Sequence, residues 1–348
     1  MPKPPSTSTP DARAPRRRGR TARVLTAGLV LLGVAGYAAY HHLTGVGGGP
    51  RHPVCTVTAQ GGSLTLEPQQ AANASTIAAV AASRGLPERA VTIALATSMQ
   101  ESALRNLDHG DRDSVGLFQQ RPSQGWGTAA QIMDPVYAST EFFEDLEKIR
   151  GYARLPLTVA AQKVQKSGFP QAYAKHEADA ALLAGALTGR NPGALSCVTP
   201  VAAGARAGGN PAAVRARLIR EFGSGVKPRI TTTAAGPDGG AAREAGKGVR
   251  EAGKGVREAE KGVRGREAAR RTVSVPSAPA GGTAGGGDRR RGWALAQWAV
   301  THAHELQVER VSFGDREWSA KDSDQGWTAV RSDAAQGTAG DVRITVAQ

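Results

Sequence analysis

Apolar residues recur at helical spacing from about residue 70 to 190, and no alternating strand pattern competes with them. The stretch QQAANASTIAAVAASRG predicts a first helix, closed by Gly85. LPERAVTIALATSMQESAL predicts a second. Pro87 falls near its first turn, where a missing N–H is harmless, and Glu88 complements the helix dipole. Asp134-Pro135 opens a third, DPVYASTEFFEDLEKIRGY, with Asp134 as its N-cap. LPLTVAAQKVQKS and FPQAYAKHEADAALLAGAL supply two more. The pattern predicts a compact helical domain within residues 51–200.

After Pro200 the pattern dissolves. EAGKGVR at 244–250 repeats at 251–257, and as EAEKGVR at 258–264. A coiled coil needs two apolar heptad positions, whereas here Val and Ala share each repeat with Gly, at ~1 kcal/mol per helical Gly. Residues 201–287 therefore read as a low-complexity, disordered basic linker. Residues 288–348 regain structure. GWALAQWAVTHAHELQV predicts a helix packing through Leu295, Trp298, Ala299 and Leu306. VERVSF and REWSA flank Gly314-Asp315, a two-residue hairpin signal, and GWTAV and DVRITVAQ add strands. This is a small α+β module, near the lower size limit for independent stability.

At the other end, VLTAGLVLLGVAGYAAY (Val24–Tyr40) is uncharged and follows RRRGRTAR. At ~1.5 Å per residue it reaches the short end of a membrane span. Arginines before the span leave residues 1–23 as a cytoplasmic basic tail, 24–43 as a transmembrane anchor, and the bulk of the chain extracytoplasmic. The alternative is a signal peptide cut near Val34-Ala35-Gly36, which makes the protein secreted.

Charge alters the picture little. The net +14 divides into +6 over residues 1–23, zero over 51–200, +9 over 201–272 and −1 over 273–348. Basicity belongs to the tail and linker rather than to a folded face, which argues against a nucleic-acid-binding domain. Cys55 and Cys197 are the two cysteines. Outside the cell they allow one disulfide, worth about 4–5 kcal/mol in the chain-entropy model; two buried thiols are the alternative. His302 and His304 are two apart on a helix and share no face, so no metal site is expected, and no cofactor.

The candidate chemistry centres on Glu101. At 100° per residue it shares a helix face with Ala94, Thr97 and Ser98, whose small side chains leave room for a cleft. A carboxyl partly withdrawn from water keeps its proton more readily. Facing a groove, such a group suits general-acid attack on a glycosidic oxygen. Burial makes that chemistry possible without identifying it.

Glu101-Ser102, with Gly116-Leu117-Phe118-Gln119 beginning 15 residues on, resembles the lytic transglycosylase branch of the lysozyme-like superfamily. There an E-S pair ends a helix and a G-L-M-Q run follows. The family's third segment, A-Y-N-A-G, is matched to AAQKVQKS (Ala160–Ser167), with Val164-Gln165 where the family has Tyr-Asn. The resemblance covers about residues 70–190. It implies a lysozyme-like domain, with Glu101 as catalytic acid and Ser102 orienting it or the substrate. Gly116, Leu117, Phe118, Gln119 and Gln120 would form a groove wall, and Gln165 would be the third-segment partner. Trp126 joins them from its own chemistry, as a stacking platform for a pyranose ring.

The implied reaction is cleavage between MurNAc and GlcNAc to a 1,6-anhydro end, without a second protein carboxylate. Asp111 and Asp113 lie between the motifs as a possible second carboxylate, which would give a goose-type lysozyme-like hydrolase instead. A non-catalytic wall-binding or scaffold protein is the reading from another class. The C-terminal module loosely resembles small end domains of actinobacterial-type wall proteins. The expected fold class is mainly α: a lysozyme-like helical domain after one transmembrane helix, plus the α+β module joined by a disordered linker. The expected partners are peptidoglycan glycan strands and, through the anchor, a membrane.

Overall fold

A computed structural model describes residues 52–166, 170–199, 208–230, 271–278, 286–330 and 340–347. The chain divides into two units, residues 1–51 and His52–Gln348, and every described residue belongs to the second. The tail expected at 1–23, the anchor at 24–43 and the cleavage site at Val34-Ala35-Gly36 lie outside the described residues. Among the described residues no helix is long and apolar enough to cross a membrane. The expected single-pass membrane topology, and the localisation drawn from it, therefore find no support in the described structure.

Strands come first. β1 (Val54–Ala59) and β2 (Gly62–Leu66) form a hairpin whose turn residues Gln60 and Gly61 take φ of 51° and 80°. β3 (Leu195–Val198) pairs with the other edge of β1, giving an antiparallel sheet of order β2-β1-β3. Cys55 lies opposite Cys197 in that register, and a disulfide joins them across a sequence separation of 142.

The helical region lies between β2 and β3. It comprises α1 (Pro68–Ser83), α2 (Glu88–Ser102), the short α3 (Ala129–Ile132), α4 (Pro135–Lys148), α5 (Leu157–Gln165) and α6 (Glu177–Leu187). Asp134 caps α4, its carboxylate accepting from the Val136 N–H at 3.0 Å. The helix expected across FPQAYAKHEADAALLAGAL is instead a 3-10 segment, Pro170–His176, followed by α6.

Much of the expected linker belongs to the fold. α7 (Pro211–Phe222) starts at Asn210, whose side chain accepts from the Ala212 N–H at 2.8 Å. β4 (Arg229–Ile230) and β5 (Thr272–Pro276) follow, and the heptad repeats at 244–264 lie outside the described residues. Then come α8 (Gly286–Thr301), β6 (Val308–Phe313), β7 (Arg316–Ser319), β8 (Thr328–Ala329) and β9 (Asp341–Val346). They complete a six-stranded antiparallel sheet of order β4-β5-β9-β6-β7-β8, with the Gly314-Asp315 turn joining β6 to β7.

α8 is central among the described elements of the second unit. It lies between that sheet and a second layer of α1, α6 and β3. Every residue from Gly292 to Val300 is consequently buried, on all faces rather than along one stripe. Gln297, fully buried, accepts from the Leu195 N–H at 2.8 Å and donates to the Ala186 carbonyl at 2.7 Å. The Trp327 indole donates to the Leu195 carbonyl at 2.8 Å. One apolar cluster therefore runs from Cys55 to Val346. Helix makes up about 50% of the structure and strand 19%, in sheets of three and six strands. That balance, and the shared core, overturn the mainly α class with its separately linked C-terminal module.

Candidate active site

Glu101 stands in the last turn of α2, half-buried. The helix ends there because Ala103 and Leu104 both turn left-handed, with φ of 52° and 60°. Two consecutive non-glycine residues in that region are unfavourable unless held. Side chains from α1 hold them: Gln70 donates to the Ala103 carbonyl at 2.7 Å, and Asn73 to the Leu104 carbonyl at 2.8 Å.

The chain then loops out and returns beside α2. Leu107 bridges Gly116, and Val115 bridges Gln120. Gly116 has φ 80°, and a Cβ there would sit 2.8 Å from the Ile132 carbonyl oxygen, so both backbone and space require glycine. The loop is tied to α2 by two hydroxyls on one acceptor. Ser98 and Ser102 both donate to the Leu117 carbonyl, at 3.0 and 2.8 Å.

These bonds correct several expected roles. Ser102 is buried with its hydroxyl committed to the backbone, so it braces the loop instead of orienting substrate. Leu117 and Phe118 are core residues with no exposed surface, and Phe118 stacks on Phe142 at 4.5 Å between ring centroids. Gln119 turns back on its own loop: it accepts from Ser114 at 3.0 Å and donates to the Gly116 carbonyl at 3.3 Å. Gln120 is buried and donates to the Ala138 carbonyl at 3.2 Å. Gln165 donates to the Phe118 carbonyl at 2.7 Å. The expected wall is thus a backbone ribbon clamped from behind, and its polar side chains are the clamps.

The two aspartates differ. Asp111 is exposed, with Arg112 at 4.0 Å. Asp113 accepts from Arg121 at 2.8 Å and from the Ser123 N–H and hydroxyl at 2.8 and 3.0 Å. The Arg121 bond, then the two from Ser123, hold its carboxyl well below the usual carboxylate range. Asp113 is a pinned anion closing a loop. Trp126 is half-buried and packs partly against the core, leaving the rest of its ring at the surface.

The side chain that does reach Glu101 was not foreseen. Tyr173, fully buried in the 3-10 segment, donates its hydroxyl to Glu101 Oε1 at 2.7 Å. One turn further on, His176 bonds Gln100 at 3.2 Å, so two adjacent contacts join this segment to the end of α2. Burial, and then the neighbouring Lys175 charge, lower the His176 pKa, which favours the neutral ring. Tyr173 lies outside Ala160–Ser167, the segment expected to supply the third contact.

A family model described as VldE, C-terminal domain, matches residues 273–340. The matched segment begins in β5, includes α8 and β6 to β8, and stops before β9. It covers less than half the chain and contains none of the residues around Glu101. No curated protein matches this chain. The match therefore bears on the layer behind α1 and α6, and the site at Glu101 rests on its own geometry. Among the described residues no group of His, Cys, Asp and Glu is arranged to hold a metal ion.

Proposed function

We propose that this protein is a peptidoglycan glycosidase of the lytic transglycosylase kind, with Glu101 as its general acid and base. One observation carries the reading. A half-buried carboxyl at a helix end is held through Oε1 by a buried tyrosine, beside a glycine-bordered loop braced against the same helix. With Oε1 held, Oε2 carries the proton to the oxygen between MurNAc and GlcNAc. The substrate's own acetamido group stabilises the cation that develops. Glu101 then takes the proton from the sugar's hydroxymethyl oxygen, which closes onto the anomeric carbon as a 1,6-anhydro end. The engagement of Asp113 with Arg121 and Ser123 supports a route without a second carboxylate.

The test is mass spectrometry of peptidoglycan digested with wild type and with Glu101→Gln. Wild type should release muropeptides with anhydro ends, and the variant should release them about 10²–10⁴-fold more slowly. Reducing ends would mean hydrolysis. Equal release by the variant would refute catalysis by Glu101 and leave wall binding.

A further inference from the structure

α1, α2 and α6 meet α8 and the 3-10 turn Ser224–Val226 around an open cavity of about 910 Å³. That volume is within the ~300–1,000 Å³ usual for small-molecule sites, which favour junctions between packed layers. Glu101 does not line it. Its lining is mixed: Leu86 and Phe222 are half-buried and Leu187 is buried, beside the polar Ser83, Thr188 and Ser224.

The rim carries a cationic excess. Glu88 accepts from Arg190 at 2.8 Å, from Thr188 at 3.0 Å and from Arg290, so two guanidiniums share one carboxylate. Arg291, next along α8, is half-buried and donates to the Gly225 carbonyl at 3.4 Å. Among the described residues no carboxylate lies within ion-pair distance of it. A guanidinium partly removed from water without a counter-ion is unfavourable, and its fork matches a carboxylate in two parallel bonds.

We propose that this cavity binds a single-chain fatty acid, its tail along Leu86, Leu187 and Phe222 and its carboxylate on Arg291 and Arg290. The site is separate from Glu101 and does not depend on the chemistry there.

The test uses the full chain, titrated with the fluorescent polyene cis-parinaric acid and, in parallel, with its methyl ester. Circular dichroism melts confirm that each variant is folded. Wild type should bind the acid saturably and the ester at least tenfold more weakly. Arg291→Ala should weaken acid binding at least tenfold. Ala82→Trp, introduced from an exposed position on the cavity wall, should do the same by filling the space. If Ala82→Trp does not fold, Arg291→Ala and the ester still decide. Equal binding of acid and ester, wild-type affinity in Arg291→Ala, or no saturable binding to wild type would each overturn the proposal.

Discussion

Tyr173 and Glu101 lie 72 residues apart, and a single hydroxyl joins them. Removing only that oxygen is the sharpest probe of the site. Tyr173→Phe keeps the buried ring and loses a hydrogen bond to a carboxyl group, worth roughly 1.5–3 kcal/mol. Muropeptide release should fall about 10–100-fold, and the melting temperature should drop by several degrees without loss of the fold. Asp113 makes a different kind of prediction. Its folded-state pKa is depressed. The stabilisation it brings is therefore full at neutral pH and declines as pH falls through the ordinary carboxylate value of about 4. Thermal melts of wild type and Asp113→Asn should differ at pH 7 and draw together below about pH 4. The helix end beside Glu101 and the need for glycine at 116 were legible in sequence, because spacing and backbone freedom mark them. Ser102, Gln119 and Gln165 were misread for one reason: a polar side chain looks the same whether it awaits a ligand or satisfies a peptide carbonyl. Tyr173 was hidden inside an apparent helix.

Among the elements, α8 shows where local preference and packing oppose each other. Gly292 is helical and buried, and a Cβ there would enter the Phe313 ring, which Trp293 meets edge-on at 5.6 Å. Helix propensity alone favours Gly292→Ala by ~1 kcal/mol, whereas overpacking costs ~1–3 kcal/mol. Because the ring is confined, packing should win: the denaturant midpoint should fall by the equivalent of up to about 2 kcal/mol. Four of the helical stretches were readable from periodicity and caps, and the fifth only over Glu177–Leu187. The strands β1 to β3 were not, since each is short and they flank a dominant helical signal. α7 carried its own signals, Asn210-Pro211 at the start and Val214 and Leu218 on one buried face. Gly- and Ala-rich flanks masked them.

For the molecule as a whole, the disulfide and the shared core set the terms of stability. Replacing Cys55 and Cys197 by Ser opens a loop of 142 residues, for which chain entropy predicts a loss of about 4–5 kcal/mol. Denaturation with and without reductant measures it. A chain ending at Pro200 would lack α8, strip one face from α1, α6 and β3, and leave the Leu195 and Ala186 backbone groups without Gln297. Fold class was the level at which sequence reading failed, because composition locates low-complexity segments but not the layer that packs across them. The β4–β5 pairing adds one more consequence. Ile230 lies opposite Val273, so the polypeptide departs from and rejoins neighbouring positions in the sheet. The three tandem heptads fall within that excursion. Both ends of that stretch of sequence are fixed by the β4–β5 pairing, so deleting one whole copy, residues 251–257, should leave the melting temperature near that of wild type.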